Sequence, residues 1–547
     1  MSKTSLQCIV ILLYTLTGSI SAEQLVLKNV NLVDVHSLSV VPEQAIVIEA
    51  NRITQIIKSK QVRRAKERLI IDMQGKYVIP GLIDAHVHHA TDPDNWDNPA
   101  KTAKRLRQLL RGGVTGVRDM GGDSRVLSYL KRQAEVDVIQ SPDIYFSVII
   151  GGPEFFSDPR TKSSAKGHKP GDTVWMRAVT EKSDFESIVL QAKGLGATGI
   201  KIYAKVSDSV LPLLATAAKK HGLKVWSHAF IDPAKPQEIV EAGVEVISHA
   251  PDLAAELIDN YRAWRRQNAD IDPAQETASF VAANYQPLLA RMKARGTILD
   301  ATLTVFHERK NSSKNAPTMY QHASMLTRLC HQAGIKIAAG TDAFSDLSGK
   351  SHPMIIEELK LLVRDGGLTP FEALKSATLI NAEVIGIEKE TGSIKEGKIA
   401  NLVLLDSDPT RDIENLLSVA HVIKNGTFIY RGDDQRLPFT NARKAAGMLY
   451  LSGQIGNLPT TMTLASKTIE GQMRQTMNNI GDVIQEHGLT FDDLTKCTVM
   501  LADIKDWPKA NEVYREFFAE RLPTRSAFAA SGLALDAKVE VECLAEL

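Results

Sequence analysis

The 547-residue chain is poor in cysteine and in aromatic residues, and it has almost no charge imbalance. Four cysteines are too few for the disulfide framework on which small secreted domains depend. Aromatic residues make up 6%, and Lys+Arg (65) nearly equals Asp+Glu (64). A net charge of +1 excludes a general electrostatic drive toward nucleic acid or an anionic membrane. Long apolar runs are lacking too, which excludes a polytopic membrane protein. The short run Ile9–Leu16 follows Lys3 and precedes the small residues Gly18–Ala22. That order reads as a secretory signal peptide over residues 1–22, with a secreted or periplasmic product and no membrane contact after cleavage; an uncleaved anchor is the alternative. The mature chain keeps Cys330, Cys497 and Cys543, whose wide spacing suggests buried free thiols.

What remains is an ordinary globular composition, 44% hydrophobic and 24% charged. Strand-like alternation fills residues 23–77 (LVLKNVNLVDV, QAIVIEANRITQII, RLIIDMQG) and returns at 389–430. Between them, over 78–388, short apolar strands alternate with amphipathic segments. Eight strand candidates are VIPGLIDAHVH, TGVRDM, IYFSVII, GIKIYA, KVWSHA, EVISHA, TILDATL and KIAAGTDA. Eight βα units predict an α/β chain built on a closed parallel (β/α)8 barrel. Residues 431–441 read as a polar linker, and 442–547 as a small α+β domain of strands and two helices. Gly194–Gly199 fits GxGxxG but precedes a strand, so it reads as a helix-to-strand turn and not as a phosphate cradle.

In a parallel barrel the C-terminal strand ends converge on one mouth. Those ends carry His86 and His88, Lys201, His228, His249 and Asp342. His86 and His88, two apart on a strand, point the same way. Imidazoles with a carboxylate suit Zn²⁺ or a similar ion, and Asp342 can carry a proton from water to a leaving amine. Lys201 is either an ammonium reaching solvent or a carboxylate, or a carbamate formed with CO2 that bridges two cations. In the second case one cation takes His86, His88 and Asp342, and the other His228 and His249. Tyr203 shares the face of Lys201, where it either donates to a developing oxyanion or packs in the barrel. Arg160, Lys162, Lys166, His168 and Lys169 crowd one loop over the mouth, either to hold a substrate carboxylate or as a solvated charge run.

The order His86-x-His88, Lys201, His228, His249, Asp342 resembles the metal-dependent amidohydrolase superfamily. GVTGVRDMGG, GTDA and LKSATLINAEVIGIEKETGSIKEGKIANLVLLD strengthen the likeness, which runs over about 25–430. Within that superfamily the chain is most similar to the imidazolonepropionase-like group, which includes Xaa-Pro dipeptidases. The resemblance implies a small β-sandwich beside the barrel, made of residues 23–77 and 389–430. It also implies that the six strand-end residues ligate two divalent ions, Zn²⁺ first, with a carbamate on Lys201. The expected reaction is attack of metal-bound hydroxide on the amide (C–N) bond of a dipeptide or N-acyl amino acid. Imidazolonepropionases use one metal and lack the lysine, so a mononuclear cyclic amide hydrolase or deaminase is the alternative. Many binuclear relatives have a histidine after the Gly-Gly of strand three; here Gly151-Gly152 is followed by Pro153-Glu154.

The C-terminal block, with LYLSGQIG, TVMLADIKDW, Pro523-Thr524-Arg525-Ser526 and Val539–Glu542, resembles the RidA family of chorismate-mutase-like fold. That family forms trimers with clefts between subunits, and its deaminating members hydrolyse imino or enamine acids. The likeness implies a homo-oligomer, with Arg525 gripping a substrate carboxylate and Glu540 positioning water. Ala527 and Phe439 stand where the family has a cysteine and a tyrosine. A docking or trimerising role therefore stands beside deamination, and a non-catalytic assembly protein is the third reading.

Overall fold

The computed structural model describes residues 24–547 apart from 64, 66–67, 90–98, 259–260, 267–277, 314–315, 344–351, 430–438, 459–462 and 520. The expected signal peptide, and most of the expected linker, lie outside the described residues. No helix among the described residues is long and apolar enough to cross a membrane.

Five strands open the described chain: β1 (Gln24–Asp34), β2 (Ser39–Glu49), β3 (Arg52–Lys58), β4 (Arg68–Asp72) and β5 (Tyr77–Pro80). The strand β1 pairs with β2 on one side, and with β4 and then β5 on the other. Register shifts between Leu27 and Leu32 interrupt its alternation. In β2 the run Ala45–Ile48 is buried on both faces, so two apolar layers pack against it.

The barrel strands are β6 (Leu82–Val87), β7 (Val114–Asp119), β8 (Asp143–Gly151), β10 (Gly199–Ile202), β11 (Lys224–His228), β12 (Val246–Ser248), β13 (Ile298–Asp300) and β14 (Ile337–Ala338), with a short β9 (Met176–Ala178) added on β8. Each of the eight expected strands is present, and neighbours pair parallel in the expected order. Closure comes from β6 against the end of β14. Ala85 N donates to Ala339 O at 3.0 Å, Asp342 N to His86 O at 2.8 Å, and Val87 bridges Ala343. Every residue of β6 and β7 is buried, as a parallel sheet covered on both faces requires. Amphipathic helices such as Pro99–Arg111 and Met354–Arg364 supply the outer cover through Leu106, Leu110, Ile355, Leu359 and Leu362. The glycine-rich stretch is a helix-to-strand turn: the helix Phe185–Gly194 ends, Gly196 takes φ +83°, and β10 starts. The loop over the mouth is partly helical, with a short helix Pro159–Ala165.

After the barrel, β15 (Leu402–Leu405), β16 (Val419–Lys424) and β17 (Thr427–Ile429) join the first sheet, because β15 pairs antiparallel with β5. The two strand blocks at the ends of the barrel thus form one eight-stranded sheet. The C-terminal domain holds β18 (Ala442–Ala445), β19 (Met448–Leu451), β20 (Gln454–Ile455), β21 (Leu494–Leu501), β22 (Thr524–Ala529) and β23 (Val539–Glu546). The helices Ile469–Glu486 and Trp507–Arg515 pack on this sheet, with Met473, Met477, Ile480 and Val513 buried against Leu449, Val499 and Val541. One expectation is corrected here. Cys497 and Cys543 face each other across β21 and β23 and are joined in a disulfide; among the described residues, Cys330 is the free, buried thiol. The two are 46 residues apart, and only the antiparallel pairing brings them together.

Candidate active site

The strand ends bring the predicted residues together in a row. Ring centroids of His88 and His86 are 5.3 Å apart, His86 and His249 5.1 Å, His249 and His228 4.8 Å, and His228 and Tyr203 4.7 Å. Asp342 lies against this row, its Oδ1 3.0 Å from His88 Nε2 and 3.5 Å from His86 Nε2, its Oδ2 3.9 Å from His249 Nδ1. Both His249 (φ +74°) and Asp342 (φ +54°) adopt the left-handed conformation where their strands end. Non-glycine residues take it at a cost of about 1–3 kcal/mol, a strain that clusters at functional sites.

Burial sets the charge states. It holds the imidazoles of His228 and His249 well below their ordinary value, so they are neutral, the form that ligates a metal. Burial works against the Asp342 carboxylate, but His86 and His88 outweigh it and hold it far below its usual range. The donor atoms of His86, His88 and Asp342 lie within 4.8 Å of one another, so this set could hold a divalent cation. Lys201 is fully buried, and burial lowers its ammonium to about 7. Its Nζ donates to Ser227 O at 3.0 Å and to Ser248 Oγ at 2.6 Å.

Sequence reasoning missed the carboxylate that braces this row. Asp300, at the end of β13, is fully buried. Its Oδ2 lies 2.7 Å from His86 Nδ1, and accepts from Ser248 Oγ at 2.9 Å and Arg118 Nη2 at 3.0 Å. Holding one ring nitrogen turns the other toward the cation position, the usual arrangement around a metal-ligating histidine. A signal was present: Arg118 is a charged residue inside the apolar strand β7, and such a residue demands a buried partner. Gly340 makes the packing possible, since a Cβ there would sit 2.4 Å from Asp300 Oδ1 and 2.5 Å from His86 Cβ.

Tyr203 lines the mouth between Phe155 and His228, and its hydroxyl donates to Met120 O at 2.8 Å. On the loop, Arg160 pairs with its neighbour Asp158 at 2.7 Å with its side chain 82% exposed, and His168 packs edge-on to Trp175. Lys166 Nζ lies 3.6 Å from Asp123 Oδ2, while Lys162 and Lys169 are exposed.

In the C-terminal domain Arg525 Nη1 donates to Asn511 Oδ1 at 2.5 Å, and its guanidinium lies over the rings of Tyr514 (5.0 Å) and Trp507 (5.8 Å). The register pairs Cys497 with both Arg525 and Cys543, which puts Arg525 on the helix-covered face. Glu540 is three residues from Cys543, so it points to the other face. One chain therefore does not bring Arg525 and Glu540 into a single site. Beside Arg525 lies an open cavity of about 480 Å³, which Trp507 and Ala527 also line.

Comparison with known proteins agrees with this geometry. The family model described as "Amidohydrolase family" matches residues 77–429, and the one described as "Endoribonuclease L-PSP" matches residues 434–547. The C-terminal block is 36% identical over 110 residues to Reactive Intermediate Deaminase A, chloroplastic, of Arabidopsis thaliana; the match covers 20% of this chain and 59% of that protein. It is 32% identical to human 2-iminobutanoate/2-iminopropanoate deaminase, over 20% of this chain and 79% of that protein. The structure of a Xaa-Pro dipeptidase with bound methionine in its active site superposes with a TM-score of 0.59 at 23% identity, over 74% of this chain and 99% of that one, a likeness of fold. The chain belongs to the amidohydrolase family, and it carries a RidA-like domain at its C-terminus.

Proposed function

We propose that this chain is an exported hydrolase that cleaves the C–N bond of a small amide, a dipeptide or an N-acyl amino acid, with two divalent cations, Zn²⁺ first among them. One observation carries the reading: His86, His88 and Asp342 meet within 4.8 Å, with His249 and His228 next in the row. One cation would be held by His86, His88 and Asp342, and the other by His228 and His249. Cations so held lower the pKa of water toward about 7 and polarise a carbonyl oxygen.

The remaining work falls to side chains. Asp342 stays ionised among the imidazoles, so its carboxylate takes a proton from water and hands it to the leaving nitrogen. Asp300 holds His86 in one orientation throughout. Lys201, with its ammonium lowered to about 7, has a neutral amine that could add to CO2 with release of one proton to water, and the carbamate so formed would help to hold the cations. Tyr203 walls the mouth beside His228, where a hydroxyl released from Met120 O would reach a developing oxyanion.

One observation favours a single-cation variant: among the described residues, His86, His88 and Asp342 are the one set of carboxylate, histidine and thiol donors that meets so closely. Metal content separates the two, at two ions per chain or one. Export is supported by residues 1–22 and by the Cys497–Cys543 disulfide, a bond that persists in oxidising compartments. Assembly through the C-terminal domain is supported by Arg525 and Glu540 lying on opposite faces, since a site using both needs a second copy.

The test is metal analysis of the purified chain together with a screen of dipeptides and N-acyl amino acids. Asp342→Asn is expected to keep most of the metal and to lose turnover by about 10²–10⁴-fold. Unchanged turnover in that variant refutes the role of Asp342, and a metal-free protein without hydrolytic activity refutes the whole reading.

A further inference from the structure

We propose that the rim of the barrel carries a subsite for a carboxylate attached to an apolar group, read by Arg262 together with Lys205. For the identity of its ligand as substrate, this rests on the amide-hydrolase reading above. A cavity of about 560 Å³ opens here, within the range that holds small ligands. Its walls include Lys205, Phe230, Asp232, Ile258, Tyr261 and Arg262.

Each wall grows from a strand that ends in a metal-site residue. Lys205 lies four positions past Lys201, and Asp232 four past His228. Lys205 N donates to Ile231 O at 2.6 Å, tying these two loops together. The third wall is anchored by Tyr261, whose hydroxyl donates to Asp252 Oδ1 at 2.9 Å, and Asp252 N in turn donates to His249 O at 3.0 Å. The cavity therefore stands on the His228 and His249 side of the mouth.

Among the described residues its charge is weighted toward cations. Lys205 Nζ and Arg262 Nε each lie 2.7 Å from the same oxygen, Asp232 Oδ2. Among the described residues, then, two cations share one carboxylate. Glu154 Oε2 lies 3.6 Å from Lys205, but its side chain is 79% exposed and screened by water. Arg262 lines the cavity with its Nε 2.7 Å from Asp232 Oδ2, and a guanidinium is the group suited to a two-pronged contact with an incoming carboxylate. Beside this charge the rings of Phe230 and Tyr261 meet edge to face at 5.4 Å, and Ile258 adds apolar surface. A carboxylate joined to an aliphatic or aromatic group satisfies both halves, whereas a basic side chain is repelled.

The probe pair is 3-phenylpropionate and 3-phenylpropionamide, titrated calorimetrically into the full chain, both metal-loaded and chelator-stripped. The acid is expected to bind at least about tenfold more tightly than the amide in both forms, the yield of one charge-assisted contact. Arg262→Met should abolish that preference, Arg262→Lys should keep part of it, and Arg160→Met should keep all of it. Where Arg262→Met does not fold, Arg262→Lys with a wild-type thermal midpoint decides by its weakened preference. Equal binding of acid and amide, absence of acid binding, or a preference unmoved by both Arg262 variants overturns the proposal. So does a preference that vanishes on stripping, which would put the carboxylate on the cations. A chain that binds the acid yet hydrolyses no amide keeps this subsite and loses the hydrolase reading. A chain that hydrolyses free-acid and amidated substrates with equal KM loses the subsite alone.

Discussion

Asp300 Oδ2 stands 2.7 Å from His86 Nδ1 and 3.0 Å from Arg118 Nη2, so one buried carboxylate both orients the His86 ring and neutralises a buried guanidinium. The two roles respond differently to substitution. Asp300→Asn keeps the shape and is expected to weaken cation binding by about 10–100-fold. Competition with a chromophoric chelator measures this. Asp300→Ala also strands Arg118 in the barrel interior, and should lower stability by about 3–5 kcal/mol in denaturant unfolding.

Glu358 supports the same site from outside the barrel wall. It is fully buried on the helix Met354–Arg364, and its carboxyl group accepts from Leu303 N at 3.0 Å and from Thr304 N and Oγ1 at 2.7 Å. The turn it holds contains Thr302, whose Oγ1 lies 3.0 Å from His249 Nδ1. Burial pushes the Glu358 carboxyl up to about 8. Between its ordinary range and that value the folded chain holds a proton that the unfolded chain has released, so stability from this group falls as pH rises. Thermal midpoints of Glu358→Gln should therefore decline less than those of wild type between about pH 5 and about pH 8. Parallel curves for the two proteins would contradict it.

The Cys497–Cys543 bond closes a loop of 46 residues within the C-terminal sheet. A cross-link of that span lowers the entropy of the unfolded chain by the equivalent of about 4 kcal/mol at 25 °C. Reduction, or Cys497→Ser with Cys543→Ser, should lower the unfolding midpoint of this domain while leaving the metal content of the barrel unchanged. Alkylation before and after reduction should reveal one and three reactive mature thiols under denaturing conditions, if Cys8 is removed with the signal peptide.

The strand β22 presents Phe528, 49% exposed, on the sheet face that Glu540 shares, since both pair with Met500. A large exposed apolar side chain on this face suits contact between copies. Phe528→Arg in the full chain is expected to reduce a trimer to a monomer in light scattering while hydrolysis in the barrel continues. A wild-type chain that is already monomeric would remove the basis for the assembly proposal.

The barrel and its row of donors were readable because both depend on local order. A short apolar run ending in histidine or aspartate is visible in a window of about ten residues, and parallel strands put all such ends on one rim. His86, His88, Lys201, His228, His249 and Asp342 could be listed without knowing a single distance. The free-thiol reading of Cys497 and Cys543 failed for the converse reason: sequence spacing says nothing about which strands pair.

Along the chain, then, residue type and strand position were enough to name the barrel, its open end and the polar groups that gather there. Folding alone chose the partners of those groups. Asp300 found Arg118 and His86 across 182 and 214 positions of sequence. Lys205 and Arg262 came to share Asp232, and Arg525 turned to the face opposite Glu540. Such pairings depend on strand register and on the balance of charge in buried space, and both arise only once distant segments pack.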